Sequence, residues 1–283
     1  MVMAKYRIKM LLRFAGLILL FALLIKAWTY VSGEQILFDE EAPVEIIFPR
    51  LYGMGSSAIF VQGSRAVLID AGGEGDGAYI ADILTDLGVQ EIAFLFLTSP
   101  GITCFGGVSD IADRLPIRQI ISFRTSVYHA AHSQLQADMQ RRGIPFIIPI
   151  LSRQYTIGNM RFTVFPPSRH FYQNQDNHSL AVLVRHGDVR MFFAGTAAAG
   201  RTEEIIGYNL SPVNLYKIAN HGRLNRASVE LLEQLNPNWS IVANYLADTA
   251  IVNAALAGGE ILYMPEGPFI FVSNGNELKL TEE

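Results

Sequence analysis

Apolar residues form one long run near the start of the chain and then many short runs separated by polar turns. The long run covers residues 10–31 and is interrupted only by Arg13 and Lys26. A polar, acidic stretch follows at 32–43. From Val44 onward, short β-type runs alternate with segments whose apolar residues recur every three or four positions, which is typical of strands alternating with helices. The pattern predicts an apolar N-terminal segment followed by an α/β domain over 44–283.

The first half of this domain is predicted to open with a three-stranded meander. Its predicted strands are Val44–Phe48, Ser57–Gln62, Ala66–Asp70, Glu91–Leu97, Gln119–Phe123 and Pro145–Ile150. Its predicted helices are Ala78–Leu87, Gly107–Leu115 and Tyr128–Arg141. Glu91–Leu97 is nearly all apolar, as expected for a strand buried on both faces of a sheet.

The second half repeats this alternation without repeating the sequence. Its predicted strands are Met160–Phe165, Ser179–Arg185, Val189–Ala194, Val213–Ile218 and Ser240–Tyr245, followed by short closing strands to Leu280. Its predicted helices are Arg201–Ile206, Ala227–Gln234 and Ile251–Ala257. A tight turn at His186-Gly187-Asp188 joins two of the strands. Two such halves are expected to pack their sheets face to face, with the helices outside.

The N-terminal run is long enough to cross a membrane. At 1.5 Å per residue a helix over 10–31 spans a hydrocarbon core of about 30 Å. Lys5, Arg7 and Lys9 precede it and no acidic residue occurs before Glu34, so the positive-inside rule places 1–9 in the cytoplasm. We therefore predict a single-pass anchor at 10–31, a linker at 32–43 and an extracytoplasmic domain. A cleaved signal peptide is the alternative, but the bulky residues around Trp28 fit a cleavage site poorly.

Composition excludes several classes of protein. Half of the 283 residues are hydrophobic and 17% are charged, which is the balance of a folded domain and not of a disordered chain. A formal net charge of −4 gives no general reason to bind nucleic acid. Cys104 is the single cysteine, so neither an intramolecular disulfide nor a cysteine-based zinc site can form.

Three segments resemble the sequence motifs of one known family. They are Val67-Leu68-Ile69-Asp70-Ala71-Gly72-Gly73, the segment Phe96–Gly107, and Lys217-Ile218-Ala219-Asn220-His221-Gly222. Their order and spacing resemble the metallo-β-lactamase fold, and most of all the hydrolase-like domain of ComEC-type DNA-uptake (competence) proteins. Asn177-His178-Ser179-Leu180 and Phe193-Ala194-Gly195-Thr196 are similar to two further segments of that domain. The resemblance covers about residues 44–281 and implies an αββα sandwich.

The same resemblance implies that the metal ligands of the family are missing. Its H-x-H-x-D-H motif holds two metal ions, because imidazole and carboxylate donors suit ions such as zinc. This chain has Ser99, Gly101, Thr103 and Cys104 at those positions, Thr196 in place of a bridging Asp, and Asn220 in place of one of two paired histidines. Asp70 and His221 are retained. The predicted vestigial pocket therefore comprises Asp70, Ser99, Gly101, Thr103, Cys104, Asn177, Thr196, Asn220 and His221, with no metal and no cofactor.

Several of these residues also have simpler structural interpretations. Asp70 is expected to accept hydrogen bonds from the glycine turn that follows it, and His221 to cap a loop or hydrogen-bond in the pocket. His129 and His132 are expected on the surface of one helix face. His170 and His178 flank the polar segment 172–176, which is expected to be a solvated loop. Ser99 or Cys104 could act as a nucleophile only with a base in reach.

Three functions follow from these observations. The leading one is a membrane-anchored, catalytically inactive module that binds or scaffolds another envelope or membrane protein. The second is a DNA-binding or DNA-processing protein of a competence-like system, with Arg153, Arg169, Arg223 and Arg226 as candidate phosphate contacts. The third is a hydrolase with an atypical single-metal or metal-free site.

Overall fold

A computed structural model describes residues 42–51, 53–125, 129–210 and 212–281. The predicted cytoplasmic segment 1–9, the predicted anchor 10–31 and all but the end of the linker 32–43 lie outside these residues. Within the described ranges no helix is both long and apolar enough to cross a membrane. Residues Glu40–Glu283 form one compact unit.

The strands of this unit form two sheets. The strands are β1 (Val44–Phe48), β2 (Ala58–Gln62), β3 (Arg65–Ile69), β4 (Glu91–Leu97), β5 (Ile120–Ser122), β6 (Phe146–Ile147), β7 (Arg153–Ile157), β8 (Met160–Phe165), β9 (Ala181–His186), β10 (Val189–Phe193), β11 (Leu215–Lys217), β12 (Trp239–Val242), β13 (Glu260–Tyr263), β14 (Phe269–Ser273) and β15 (Leu278–Leu280). The first sheet has the order β15-β14-β1-β2-β3-β4-β5-β6, and the second has the order β13-β12-β11-β10-β9-β8-β7. Each sheet combines an antiparallel part with a parallel part, which is β3 to β6 in the first and β10 to β13 in the second.

Helices connect the parallel strands. They are α1 (Asp76–Asp86), α2 (Ile102–Phe105), α3 (Val108–Arg114), α4 (Ala130–Arg141), α5 (Ala199–Ile206), α6 (Ser228–Leu235) and α7 (Thr249–Gly258). Short 3₁₀ turns occur at Gln175–His178, Ala219–Gly222 and Met264–Glu266. The apolar faces of α5, α6 and α7 pack on the outer face of the second sheet, where Leu183 and Phe192 join Ile205, Leu232 and Ile251 in one buried cluster.

Aromatic rings fill the space between the two sheets. Phe60 of β2 and Phe96 of β4 each lie 5.4 Å, between ring centroids, from Phe162 of β8. Phe48 of β1 lies 6.3 Å from Phe193 of β10. These rings are almost completely buried, so their burial is a large part of what holds the sheets together, since each fully buried phenylalanine side chain contributes about 2–3 kcal/mol. The mixed α/β fold with two packed sheets agrees with the fold class that the sequence pattern predicts.

The predicted elements agree with the structure to within about three residues, except that strand β7 and the short helix α2 were not predicted. The polar strand β7 (Arg153–Ile157) was not predicted, because its outer positions are charged or polar and only Tyr155 and Ile157 face the core. The strand predicted at Pro145–Ile150 is reduced to Phe146–Ile147 at the sheet edge. The strand predicted from Ser179 begins at Ala181, because the preceding residues form the 3₁₀ turn Gln175–His178.

The surface placement predicted for His132 is wrong. Its side chain is buried, its Nε2 lies 2.9 Å from the Ser122 hydroxyl, and its ring centroid lies 4.3 Å from that of Phe123. His129 is the N-cap residue just before helix α4, and its Nδ1 accepts a hydrogen bond from the backbone N–H of His132. Helix α4 turns this face toward the core, an orientation that the spacing of two histidines does not fix.

We expect His132 to make the folded protein sensitive to acid. Burial, with a smaller contribution from the charge of His129, lowers the pKa of His132 to about 4. An unfolded chain binds this proton near pH 6.5, so the stability is fully present above that pH and is lost as the pH falls toward 4, by up to about 3 kcal/mol. His132→Phe keeps an aromatic ring among Phe105, Phe123 and Phe146. Urea unfolding near pH 7 and near pH 4.5 should show a smaller acid loss in this variant than in the wild type, and an equal loss would contradict the assignment.

Candidate functional site

The candidate site lies where strands of both sheets end. Asp70 follows β3 and Thr98 follows β4, two parallel neighbours of the first sheet. Thr196 and Asn220 follow β10 and β11, two parallel neighbours of the second sheet. The carboxyl ends of parallel strands are the usual place for ligand sites in α/β folds, because the loops there converge. The fold thus brings segments that are far apart in sequence to one edge.

Asp70 is the centre of a buried hydrogen-bond cluster. Its carboxylate accepts from the backbone N–H of Thr98 at 2.8 Å, from the Thr98 hydroxyl at 2.8 and 2.9 Å, and from the Ser56 hydroxyl at 3.0 Å. Its backbone has a φ of 64°, in the left-handed region that Asp and Asn tolerate better than most residues. Asp70 therefore fastens the end of β3 to the end of β4.

The partner predicted for Asp70 was wrong. The glycine turn after it is held instead by Asp76, whose Oδ2 accepts from the N–H of Gly73 at 2.8 Å. Burial raises the pKa of Asp70, while the positive charge of Lys217 and the three hydrogen-bond donors act in the opposite direction. Lys217 ends β11 and is itself buried, so the two sheets bring a carboxyl group and an amine into the same part of the interior.

A second cluster joins the loops of the two halves through hydroxyl groups. The Thr196 hydroxyl lies 2.6 Å from that of Ser99, donates to the Asp176 carboxylate at 3.0 Å, and lies 3.2 Å from the Ser179 hydroxyl. Ser99 and Thr196 are two of the positions where the resembling family carries metal ligands. Because each hydroxyl has one proton, Thr196 donates to Asp176 and accepts from Ser99, whereas the Ser179 hydroxyl donates to the Asp176 carbonyl.

Asn177 has a structural partner in the next helix. Its Oδ1 accepts from the backbone N–H of Arg201 in the first turn of α5 at 2.9 Å. The side chain of Arg201 is completely buried and donates to the carbonyl oxygens of Ser179 and Phe165, to Glu204 and to the Tyr208 hydroxyl. Sequence reasoning did not single out Arg201, although an arginine amid apolar helical positions was the available signal.

A side chain has room at Gly101, one of the positions where the resemblance places a metal ligand of the family. Its backbone is extended, with φ −70° and ψ 133°, a conformation open to every residue type. A Cβ there would lie 3.4 Å from Thr103 Oγ1 and 3.6 Å from Ser99 Oγ, which are ordinary contacts. Glycine at this position is therefore not a steric requirement of the loop.

Cys104 lies beneath this loop and is poorly suited to be a nucleophile. Its side chain is buried, and burial together with the nearby Asp70 charge raises the pKa of the thiol far above its ordinary value. Its backbone N–H donates to Gly101, and its carbonyl accepts from Ala71. A thiol that stays protonated and inaccessible cannot attack a substrate.

This burial predicts slow chemical modification of Cys104. A disulfide reagent of the nitrobenzoate type should react with the native protein at least about 100-fold more slowly than with the urea-unfolded chain, because access and the thiolate fraction are both reduced. Cys104 is the single cysteine, so the absorbance of the released thiolate reports on it alone. Rapid stoichiometric labelling of native protein would contradict the assignment and revive the nucleophile hypothesis.

Asn220 and His221 form a strained turn at the end of β11. Both have positive φ, 49° and 54°, and the N–H of Asn220 donates to the carbonyl of Gly195 at 3.0 Å. Burial, then the charges of Lys217 and Arg223, lower the pKa of His221 to about 4, so its imidazole is neutral at physiological pH. The turn is thus linked to the Thr196 loop by a backbone hydrogen bond. A metal ligand, in contrast, would act through its side chain.

The donor set does not fit a metal ion of the kind that the fold implies. Zinc needs deprotonated cysteine, neutral histidine or carboxylate groups arranged around one point. Across 42–51, 53–125, 129–210 and 212–281, no three histidine, cysteine, aspartate or glutamate side chains converge in this way. The hydroxyls of Ser99 and Thr196 are bonded to each other and the thiol of Cys104 remains protonated.

The arginines considered for DNA contacts have other partners in most cases. Arg226 pairs with Glu203, Arg169 lies 3.8 Å from Glu204, and Arg153 lies over the ring of Tyr155. Arg223 is exposed. These contacts do not form an evident phosphate-binding surface, and DNA binding by them stays a prediction.

Comparisons with known proteins identify the fold. No family model and no curated protein matches the sequence. Among solved structures, the metallo-β-lactamase fold protein YhfI of Bacillus subtilis is similar with a TM-score of 0.56 and 11% identity over 82% of this chain and 99% of that one. The metallo hydrolase Igni18 of Ignicoccus hospitalis is similar with a TM-score of 0.53 and 11% identity, over 86% of this chain and 100% of that one. Zn(2+)-bound PqqB of Methylobacterium extorquens is similar with a TM-score of 0.51 and 11% identity, over 78% of this chain and 97% of that one. The chain therefore has the metallo-β-lactamase fold.

Proposed function

We propose that this protein is a membrane-anchored, non-catalytic module that uses the metallo-β-lactamase fold to bind or scaffold another envelope or membrane protein. The observation that carries the proposal is the Thr196 hydroxyl cluster. At the place where a hydrolase of this fold needs open metal-coordination positions, Ser99 and Thr196 bond to each other at 2.6 Å. Closing that space with neutral hydroxyls removes the means of activating water.

The surrounding groups offer no substitute for the metal. A serine or cysteine nucleophile needs a base within hydrogen-bond reach. Ser99 is bonded to the Thr196 hydroxyl and the N–H of Gly101, and Cys104 is buried with a raised pKa. Since neither group contacts a histidine among its described hydrogen-bond partners, a metal-free hydrolase receives little support.

A binding role is supported by the surface next to this cluster. A cleft of about 400 Å³ is lined by Arg169, Phe171, Tyr172, Gln173, Asn174, Asn177, Gly200 and Arg226. Phe171 is 65% exposed in it, beside three side-chain amides, each of which can donate and accept. An exposed aromatic ring surrounded by polar groups is typical of the centre of a protein interface. We propose this cleft as the contact surface for the partner protein.

Membrane attachment is the second part of the proposal and rests on the sequence. The apolar run 10–31 and the cationic residues before it support a single anchor with the domain outside the cytoplasm. The attachment would hold the domain near its partner and raise the effective concentration of the two.

Metal analysis of the full-length chain tests the inactive site directly. We expect less than about one zinc or manganese ion per ten chains after purification without chelators, because the donors needed for tight binding are missing. Hydrolysis of phosphodiester and ester substrates should match the rate of a His221→Ala control. Stoichiometric metal, or turnover that this control loses, would overturn the proposal.

A further inference from the structure

Three arginines lie directly opposite one another on adjacent strands of the second sheet. The antiparallel register pairs Arg161 of β8 with Arg185 of β9, and Arg185 with Arg190 of β10. Directly opposed residues share a sheet face and have Cβ atoms about 5 Å apart, where like charges are destabilising. This arginine ladder is therefore a cost to the fold unless an anion compensates for it.

The described residues do not neutralise the ladder. None of Arg161, Arg185 and Arg190 forms an ion pair within the described part of the chain. The Nε of Arg190 is buried and has no hydrogen-bond partner there. Burial and the charge of Arg185 lower the pKa of Arg190, as expected when a guanidinium is held beside another cation.

Arg161 and Arg185, two of the three ladder arginines, line a cleft formed by three β-turns, and Arg190 lies next to Arg185 outside this lining. The cleft has a volume of about 460 Å³ and is lined by Asn159, Arg161, Arg185, His186, Gly187, Asn274, Gly275 and Asn276. The turns at Gly187 and Gly275 are in direct contact, and a Cβ on Gly187 would lie 2.3 Å from the Gly275 carbonyl. Two guanidinium groups with three side-chain amides provide many donors on a rigid support, which is a suitable arrangement for a phosphate group.

Acidic groups near these turns are few. Asp188 lies in the turn between β9 and β10, and its N–H donates to Gly275. Glu277 at the next turn is paired with Lys279. The arginine charge thus exceeds the acidic charge of the described turns.

The cleft lies at the end of the domain where the chain enters it. The carbonyl of Ala42 accepts from Gln62 Nε2, and the same amide group donates to Asn159 of the cleft lining. Val44 pairs with Ser273, which precedes Asn274. If residues 10–31 are the anchor proposed above, the linker at 32–43 would allow this end of the domain to lie at most about 40 Å from the lipid surface.

We infer that the cleft between these three turns binds the phosphate group of an anionic membrane lipid. The inference rests on the proposed membrane anchor, which determines that lipid headgroups are the nearest phosphate source. Arginines near such a surface are attracted to it, and the attraction decays over a Debye length of about 10 Å. Binding would orient the domain with its candidate site, at the opposite strand ends, away from the membrane.

Hydrogen exchange of the full chain in lipid nanodiscs tests this inference. One set of discs contains phosphatidylcholine, and the other contains phosphatidylcholine with about one third phosphatidylglycerol, a typical anionic fraction for this purpose. We expect backbone amides of the three turns to exchange roughly 3- to 10-fold more slowly in the anionic discs, with the difference fading at high salt. Equal exchange in both discs would overturn the inference.

Variants separate the ladder from general charge effects. The double variant Arg161→Gln/Arg185→Gln should lose the protection, whereas Arg141→Gln/Arg223→Gln, which removes the same charge from other elements, should keep it. Protection that survives in the first double variant would overturn the inference. In neutral discs, Arg185→Gln alone should raise the thermal unfolding midpoint by about 2 °C, because it relieves the repulsion between neighbouring arginines. A lower midpoint would show that the repulsion argument is wrong.

Other anions give distinct outcomes. Protection by inorganic phosphate in neutral discs, without any effect of anionic lipid, would make the cleft a small-anion site, and protection by DNA alone would favour nucleic acid. Both overturn the lipid assignment. Asp39, Glu40 and Glu41 precede Ala42 in sequence. Faster exchange at the turns after these residues are neutralised would identify the linker as the occupant and would also overturn the lipid assignment. Retention of the chain in discs after an alkaline wash reports on the anchor separately, and metal content reports on the inactive site.

Discussion

Arg201→Met should destabilise the protein by about 3 kcal/mol, because it leaves two buried carbonyl groups without their donor and the half-buried Glu204 carboxylate without its guanidinium partner. Arg201 is completely buried and bonds to Ser179 and Phe165 through their carbonyl oxygens at 3.0 and 2.6 Å. Its Nη1 lies 2.9 Å from Oε2 of Glu204, and the Glu204 side chain is 12% exposed. The urea midpoint of the purified variant measures this loss, provided that the slope of the unfolding free energy against urea concentration is unchanged.

Arg226→Met is the matched control. Arg226 pairs with Glu203 on the surface, where solvent screens the two charges, so its removal should leave the urea midpoint almost unchanged. If Arg201→Met fails to fold, adding Glu204→Gln should recover folded protein, because the stranded charge is the largest penalty. Equal midpoints for the Arg201 and Arg226 variants would show that the buried network does not stabilise the fold.

Asp70→Ala should cost about 3 kcal/mol, since it leaves three donors of Thr98 and Ser56 unsatisfied and puts alanine at a positive φ. Asp70→Asn should cost less than about 1 kcal/mol. An amide can bond to the same groups, tolerates the left-handed backbone, and resembles the neutral carboxyl group that burial favours. Chemical denaturation at neutral pH compares the two variants.

The pH dependence checks the same assignment. Because the pKa of Asp70 is raised in the folded state, this group contributes most stability below the unfolded value of 3.8, and the contribution is lost as the pH rises through the folded value. Asp70→Asn should remove that dependence. An Asp70→Asn variant as unstable as Asp70→Ala would mean that the charge, and not the hydrogen-bond cluster, holds the strand ends together.

These two residues illustrate different limits of sequence reasoning. Asp70 was identified from its motif, but its partners were placed in the wrong segment, because the neighbour of a strand end depends on sheet order. Arg201 was missed because its acceptors come from the backbone of residues 36 and 22 positions earlier. In the same way, the ladder of Arg161, Arg185 and Arg190 exists only in the strand register, which no local pattern reveals.

The sequence by itself determined the alternation of strands and helices, the two-sheet α/β architecture, and the identity of the side chains at the positions where the resembling family binds metal. It could do so because period and composition are local properties of the chain. Only the tertiary structure decided that Ser99 and Thr196 bond to each other, that His132 is buried, and that Arg201 is buried among backbone acceptors. Those facts depend on contacts between residues distant in sequence, and such contacts are fixed by how the sheets and helices pack.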